Sequence, residues 1–232
     1  MIKFDIITLF PQLVSPHFDE LPFKKALDIK VFDYKLHNLR NYALDSYGTV
    51  DSKTYGGGVG MILMIEAVYK ALSDIYGKEI VEKHMRGEKV LPKNSKVIVL
   101  SPRGKIYNQQ LARDFSKCDQ ITLICGRYEG IDHRIEKNLA TDIISIGNFV
   151  LSGGEIPAVT VMESVVRLLP NVLKKKIATE VESFSDKNAT NIEYPQYGRP
   201  EDFMGLKVPE ILLSGNHSKI EGWRKENSQI IK

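Results

Sequence analysis

The stretch SIGNFVLSGGEIPAVTVMESVVRLL, Ser145 to Leu169, joins two apolar runs through a small-residue corner, Ser152-Gly153-Gly154. A buried strand leads into the corner, and a helix is expected to open on Glu155, Ile156 and Pro157. Adjacent glycines let the backbone turn sharply and let another group approach it closely. That group could be a phosphate, a cofactor or another part of the same chain, and this segment alone leaves the choice open.

Outward from this corner, strand-like runs occur at Ile2–Thr8, Lys30–Leu36, Val97–Leu100, Ile121–Cys125 and Ile143–Leu151. Helical patterns lie between them at Leu21–Leu27, Ile65–Tyr76, Asn108–Lys117 and Asp132–Leu139. Asn108 and Asp132 suit the N-cap position, where a side-chain oxygen accepts from a free backbone amide. The alternation predicts an α/β fold with a mainly parallel sheet and helices on its faces. Ligands of such sheets bind beyond the carboxyl ends of the strands. Three glycine-bearing loops fall there: SPRGK (101–105), CGRYEG (125–130) and SIGNFVLSGG (145–154). Arg103, Arg127, Glu129 and Arg134 are close to them in sequence.

Composition removes several alternatives. With 232 residues and 43% hydrophobic content the chain can bury a substantial core. No apolar run approaches the length that crosses a bilayer, so no membrane partner is expected. The start, MIKFDIITLFPQ, alternates like a strand and lacks the cleavage site of a signal peptide. Two cysteines, Cys118 and Cys125, form no disulfide framework, and a cytoplasmic location is the expectation. Five scattered histidines give no metal-ligand spacing. The glycine-rich TYGGGVGM (54–61) lacks the Gly-Lys-Ser/Thr ending of a P-loop, and no strand leads directly into it. No Gly-x-Ser-x-Gly elbow occurs, and neither cysteine is marked as an activated nucleophile. The net charge of +3 excludes no partner. Lys174-Lys175-Lys176 reads first as a solvated helix end that complements the helix dipole. The segment from Lys174 to Asn191 is polar and reads as a linker, followed by a small tail with helical patterns at Pro209–Leu213 and Lys219–Asn227. Loops of small residues and free amides suit a flat heteroaromatic ligand, and residue chemistry alone stops at a nucleotide-like ligand.

Taken as an ordered set, ITLFPQ, YGGGVGM, LSPRGK, CGRYEGIDHR, SIGNFVLSGGEIPA with ESVVRLLPNVL, and LLSGNHSKIEGWR resemble the bacterial tRNA (guanine-N1)-methyltransferases, the TrmD family of the SPOUT superfamily. The resemblance covers nearly the whole chain. It implies transfer of a methyl group from S-adenosylmethionine to N1 of the guanosine immediately 3′ of the tRNA anticodon. It also implies a SPOUT-type parallel sheet threaded into a deep trefoil knot and a homodimer with active sites at its interface. A small α-helical C-terminal domain would bind tRNA. On that pattern residues 1–172 form the catalytic domain, 173–192 a flexible linker and 193–232 the tRNA-binding domain. Magnesium is implied as well, although no carboxylate cluster in the sequence identifies its site.

Residue by residue, the family's cofactor positions match Leu100, Ser101 and Pro102, then Gly126 and Tyr128, then Ile146, Gly147, Asn148, Phe149, Val150 and Leu151, with Gly153, Gly154 and Pro157. Its acceptor side matches Asp51, Gly58, Glu129, Ser183 and Arg199 as substrate-binding residues. N1 of guanine carries a proton at neutral pH, so a carboxylate must take it as methyl transfer proceeds. Charge then builds on O6, and a fixed arginine offsets it. The family's arginine matches Arg167. Its aspartate base is replaced here by Glu182, in ATEVESF, with Asp186 as the alternative nearby.

Other departures cluster on the acceptor side. Asp51-Ser52-Lys53-Thr54 stands for Asp-Asp-x-Pro, Ser46-Tyr47 for a Lys-His pair, and Tyr194 to Pro200 for Cys-Pro-His-Tyr-Thr-Arg-Pro. These leave open a SPOUT RNA methyltransferase with a different acceptor and a non-catalytic RNA-binding relative.

Overall fold

A computed structural model describes residues 1–174, 179, 182–185 and 191–230. The chain divides into two compact units, Met1–Lys174 and Lys175–Lys232. The first unit carries β1 (Ile2–Thr8), β2 (Phe32–Asn38), β3 (Asp51–Ser52), β4 (Ile62–Leu63), β5 (Ser95–Ile106), β6 (Gln120–Cys125) and β7 (Asp142–Ser145). Its helices are α1 (Phe23–Asp28), α2 (Ile65–Tyr76), α3 (Lys78–Met85), α4 (Gln109–Phe115), α5 (His133–Asn138) and α6 (Glu155–Val166). Five strands form one parallel sheet in the order β2-β1-β6-β5-β7. The remaining pair, β3 and β4, is antiparallel.

The central strands are mainly apolar on both faces, as a sheet covered by helices requires, with buried polar residues at Asp5 in β1 and Thr122 in β6. Side chains alternate across the sheet. Phe4, Ile6, Ile121 and Leu123 therefore enter one core, with Ala158, Val161, Met162 and Val165 of α6. Ile7 and Ile124 enter the other, with Val68, Ala71 and Leu72 of α2. Burial of each large aliphatic side chain contributes about 1.5–3 kcal/mol. Helix starts follow their caps: Asn108 Oδ1 accepts from Leu111 N at 3.0 Å, and Asp132 Oδ1 from Arg134 N at 2.9 Å.

The second strand is expected from Lys30, but Lys30 has φ 56 and the strand starts at Phe32. The expected run Val97–Leu100 extends over Ser95–Ile106, its register against β7 shifting between Leu100 and Lys105. The expected strand Ile143–Leu151 needs correction, because β7 ends at Ser145. Two residues on, Gly147 takes φ 152, and Ser145 Oγ donates to Gly147 O at 3.0 Å. That local bond turns the apolar residues 146–151 out of the sheet and into a loop. Helix α3 escapes the sequence reading; its start follows directly on Gly77, at φ 91, and only Val81 is buried.

In the second unit, Asn191–Ile192 pairs with Gln229–Ile230, and Asp202–Phe203 pairs with Leu206–Lys207. Helices cover Glu210–Leu213 and His217–Asn227, the latter capped by Asn216 Oδ1, which accepts from Lys219 N at 3.1 Å. Lys175, Lys176 and Asp186 lie outside the described residues. Among the described residues no helix is long and apolar enough to cross a membrane.

Candidate active site

One cleft opens at the β5 irregularity and the carboxyl ends of β6 and β7. Leu100, Ser101 and Pro102 line it from the β5 irregularity, and Gly126 and Tyr128 from the turn after β6. Ile146, Gly147, Phe149, Val150, Leu151, Gly153, Gly154 and Pro157 line it after β7. Asn148, grouped with these from the sequence, is absent from the lining. The wall is apolar side chain interrupted by bare glycine main chain, which suits a flat ring held by backbone amides and carbonyls.

The corner glycines have separate steric reasons. A Cβ on Gly154 would sit 2.7 Å from Cys125 Cα and 2.9 Å from Gly126 N, both immobile backbone. The Gly154 amide donates to Gly126 O at 2.9 Å, which fastens the β7–α6 corner against the end of β6. A Cβ on Gly153 would collide with the Arg127 guanidinium and the Glu155 carboxylate. These positions answer the question posed by the corner: a neighbouring chain crosses behind Gly154, and an ion pair lies against Gly153.

That ion pair is buried. Glu155, 1% exposed, accepts from Thr8 Oγ1 at 2.7 Å and from Arg127 Nε at 3.0 Å. Arg127 also donates from Nη1 to Ser152 O at 3.2 Å, and its guanidinium lies 4.5 Å from the centre of the Phe10 ring. The bonds join the end of β1, the turn after β6 and the first residue of α6. Sequence reading places Arg127 near the loops without a partner and treats Glu155 only as a helix start. Partners so far apart in the chain leave no local pattern.

The glycine-rich loop 54–61 lies beside the cleft. Its hairpin pairs Asp51 with Leu63. Glu129 N donates to Met61 O, Leu63 N to Gly130 O and Asp132 N to Leu63 O, each at 3.0 Å. A Cβ on Gly60 would fall 2.5 Å from Glu129 Cγ. Asp51, Gly58 and Glu129 thus belong to one neighbourhood, with Gly58 at φ 130 on the loop and Glu129 on the cleft lining. Tyr128 occupies the left-handed region at φ 60. Partial burial and the Asp51 carboxylate hold its phenol above the usual value, with Arg40 opposing them. The phenol therefore stays protonated at neutral pH and presents a donor toward Asp51.

Arg167 is the C-cap of α6, its amide bonded to Glu163 O at 3.0 Å. Glu182, Ser183 and Arg199 belong to the second unit. There Glu182 O accepts from Ser185 N at 3.1 Å, and Ser183 Oγ accepts from Glu193 N at 3.0 Å. Arg199 is exposed. Burial pushes the Cys125 thiol well above its ordinary value, and the Glu155 carboxylate adds to that shift, so it is no nucleophile. Among the described residues no group of three or more His, Cys, Asp or Glu could hold a metal ion.

The family described as tRNA (Guanine-1)-methyltransferase TrmD matches residues 2–231. A tRNA (guanine-N(1)-)-methyltransferase of Clostridioides difficile is 43% identical over 98% of this chain and 92% of its own length. Proteins of the same name are 42% identical in Dictyoglomus turgidum, over 98% of this chain and 85% of their own, and in Mycoplasmopsis agalactiae, over 97% and 91%. With a match along almost its entire length and a cleft built from the matched loops, the chain belongs to the tRNA (guanine-1)-methyltransferase TrmD family.

Proposed function

We propose that this protein transfers the methyl group of S-adenosylmethionine to N1 of the guanosine at position 37 of tRNA, immediately 3′ of the anticodon. The observation that carries the reading is the cleft at the β5 irregularity and the ends of β6 and β7, walled by apolar side chains and glycine main chain. Glycine at 153 and 154 lets the corner pack tightly against Arg127, Glu155 and the end of β6, and main chain at this wall can face adenine and ribose. When bound, the donor supplies an electrophilic methyl on a sulfonium.

The chain's own groups supply the rest. Glu182 takes the N1 proton, Arg167 offsets the charge on O6, and Asp51 with Glu129 holds the base. Gly58, Ser183 and Arg199 contribute to acceptor binding, and Asn148 joins the cofactor loop. Residues 1–172 act as the catalytic domain, 173–192 as a linker carrying the base and 193–232 as a helical tRNA-binding domain. The first unit takes the SPOUT trefoil knot. Its support is the family pattern together with the close approach of the β7–α6 corner to the end of β6, where a Cβ on Gly154 would meet Cys125 and Gly126. The protein works as a cytoplasmic homodimer, with magnesium as activator.

Two measurements test this. Labelled methyl transfer is expected to a tRNA with guanosine at position 37 and not to its adenosine counterpart. Transfer to both removes guanine specificity, and transfer to neither leaves an RNA-binding relative. Glu182→Ala is expected to lower single-turnover transfer by about 100-fold or more while donor affinity stays within about 2-fold. Undiminished transfer would remove Glu182 from the chemistry.

A further inference from the structure

The Arg127–Glu155 pair is more than a strut for the glycine corner. Arg127 lines the cofactor cleft, its side chain 18% exposed, whereas Glu155 lies behind it at 1%. The methyl donor is a sulfonium cation, and the product left after transfer, S-adenosylhomocysteine, has lost that charge. An uncompensated guanidinium on the wall would repel the donor and not the product. Low-dielectric surroundings strengthen that difference. Glu155 removes it by pairing with Arg127 through Nε, and Thr8 Oγ1 holds the carboxylate in place. Phe10 covers the guanidinium face. Glu129, also on the lining, is the other charged side chain at the cleft, and its loop is fixed separately through Met61.

We infer that Glu155 is a positioning and charge-balancing residue: by neutralising Arg127 it sets how well the cleft distinguishes the cationic methyl donor from its neutral product. The inference rests on the proposed use of this cleft for S-adenosylmethionine.

Calorimetric binding of S-adenosylmethionine and S-adenosylhomocysteine to the full chain tests it without any turnover. Wild-type protein that binds neither ligand contradicts the assignment of the cleft, and with it this inference. If wild type binds both, Glu155→Gln, which keeps side-chain size, is expected to raise the donor-to-product Kd ratio by about tenfold. Arg127→Gln, which removes the cation and leaves the carboxylate, is expected to lower that ratio. It serves as the independent variant if Glu155→Gln does not fold. A purely structural pair would weaken both ligands alike, so an unchanged ratio in the folded variant overturns the inference.

Discussion

Asp5 is fully buried at the middle of β1, an expensive place for a carboxylate. Its partners account for it. His37 Nε2 lies 2.8 Å from Oδ1, Gln120 Nε2 donates to Oδ2 at 2.8 Å, and Lys3 Nζ lies 3.2 Å from Oδ2. Tyr42 donates to Asp74 Oδ2 at 2.9 Å, and its oxygen lies 3.0 Å from His37 Nδ1. Burial raises the Asp5 carboxyl, but the bonds from His37, Gln120 and Lys3 outweigh it, and the net direction is down. A carboxyl lowered by folding stabilises the protein above its unfolded value of about 3.9, and that stability is lost as pH falls through the folded value. Urea melts from pH 6 to 3 are therefore expected to lose stability toward the acid end, and Asp5→Asn to flatten that limb. At pH 7 the same variant should cost about 3 kcal/mol, because it removes a buried acceptor that His37, Gln120 and Lys3 share and leaves the Lys3 ammonium without its counter-charge. An equally steep acid limb in Asp5→Asn would place its origin elsewhere.

The corner between β7 and α6 shows how close-packed backbone fixes sequence. Gly154→Ala has no space, since the new methyl meets Cys125 Cα and Gly126 N rather than a side chain that could swing aside. The expected cost is about 2–3 kcal/mol, as in other overpacked sites. For a chain of this size that is a fall in Tm of roughly 5 °C or more. Gly222, within the helix His217–Asn227, has nothing within 4 Å of where an added methyl would sit, so Gly222→Ala should raise stability by about 0.5–1 kcal/mol. Equal melting shifts in calorimetry for the two variants would contradict this steric account. The same corner marks what the sequence could tell. The glycine pair, the helix start at Glu155 and the strand before it are local signals, and so are the caps Asn108 and Asp132. The end of β7 was not legible, because residues 146–151 are as apolar as a strand. Their apolarity serves the cleft wall: Phe149, Val150 and Leu151 line it, and Val150 is 84% exposed. The pairing of Arg127 with Glu155 and Thr8 was hidden for a different reason. It exists only once the end of β1, the turn after β6 and the start of α6 are brought together.

At the scale of the whole molecule, the parallel sheet brings the irregularity within β5 and the loops after β6 and β7 to one cleft, and hydrogen bonds from Glu129 and Leu63 bring the glycine-rich hairpin beside it. Glycine loops dispersed along the sequence thus become one site, whereas Glu182, Ser183 and Arg199 are carried by a second compact unit. The departures from the family pattern do not follow that division: Ser46-Tyr47 and residues 51–54 lie in the first unit and residues 194–200 in the second, and all of them belong to segments assigned to the acceptor. The central claim therefore concerns the acceptor atom. The most direct measurement is nucleoside analysis of a tRNA with guanosine at position 37 after incubation with this protein and S-adenosylmethionine. The expected product is 1-methylguanosine at that position alone; a methyl group on another atom or another nucleotide, or no methylated nucleoside at all, would contradict it.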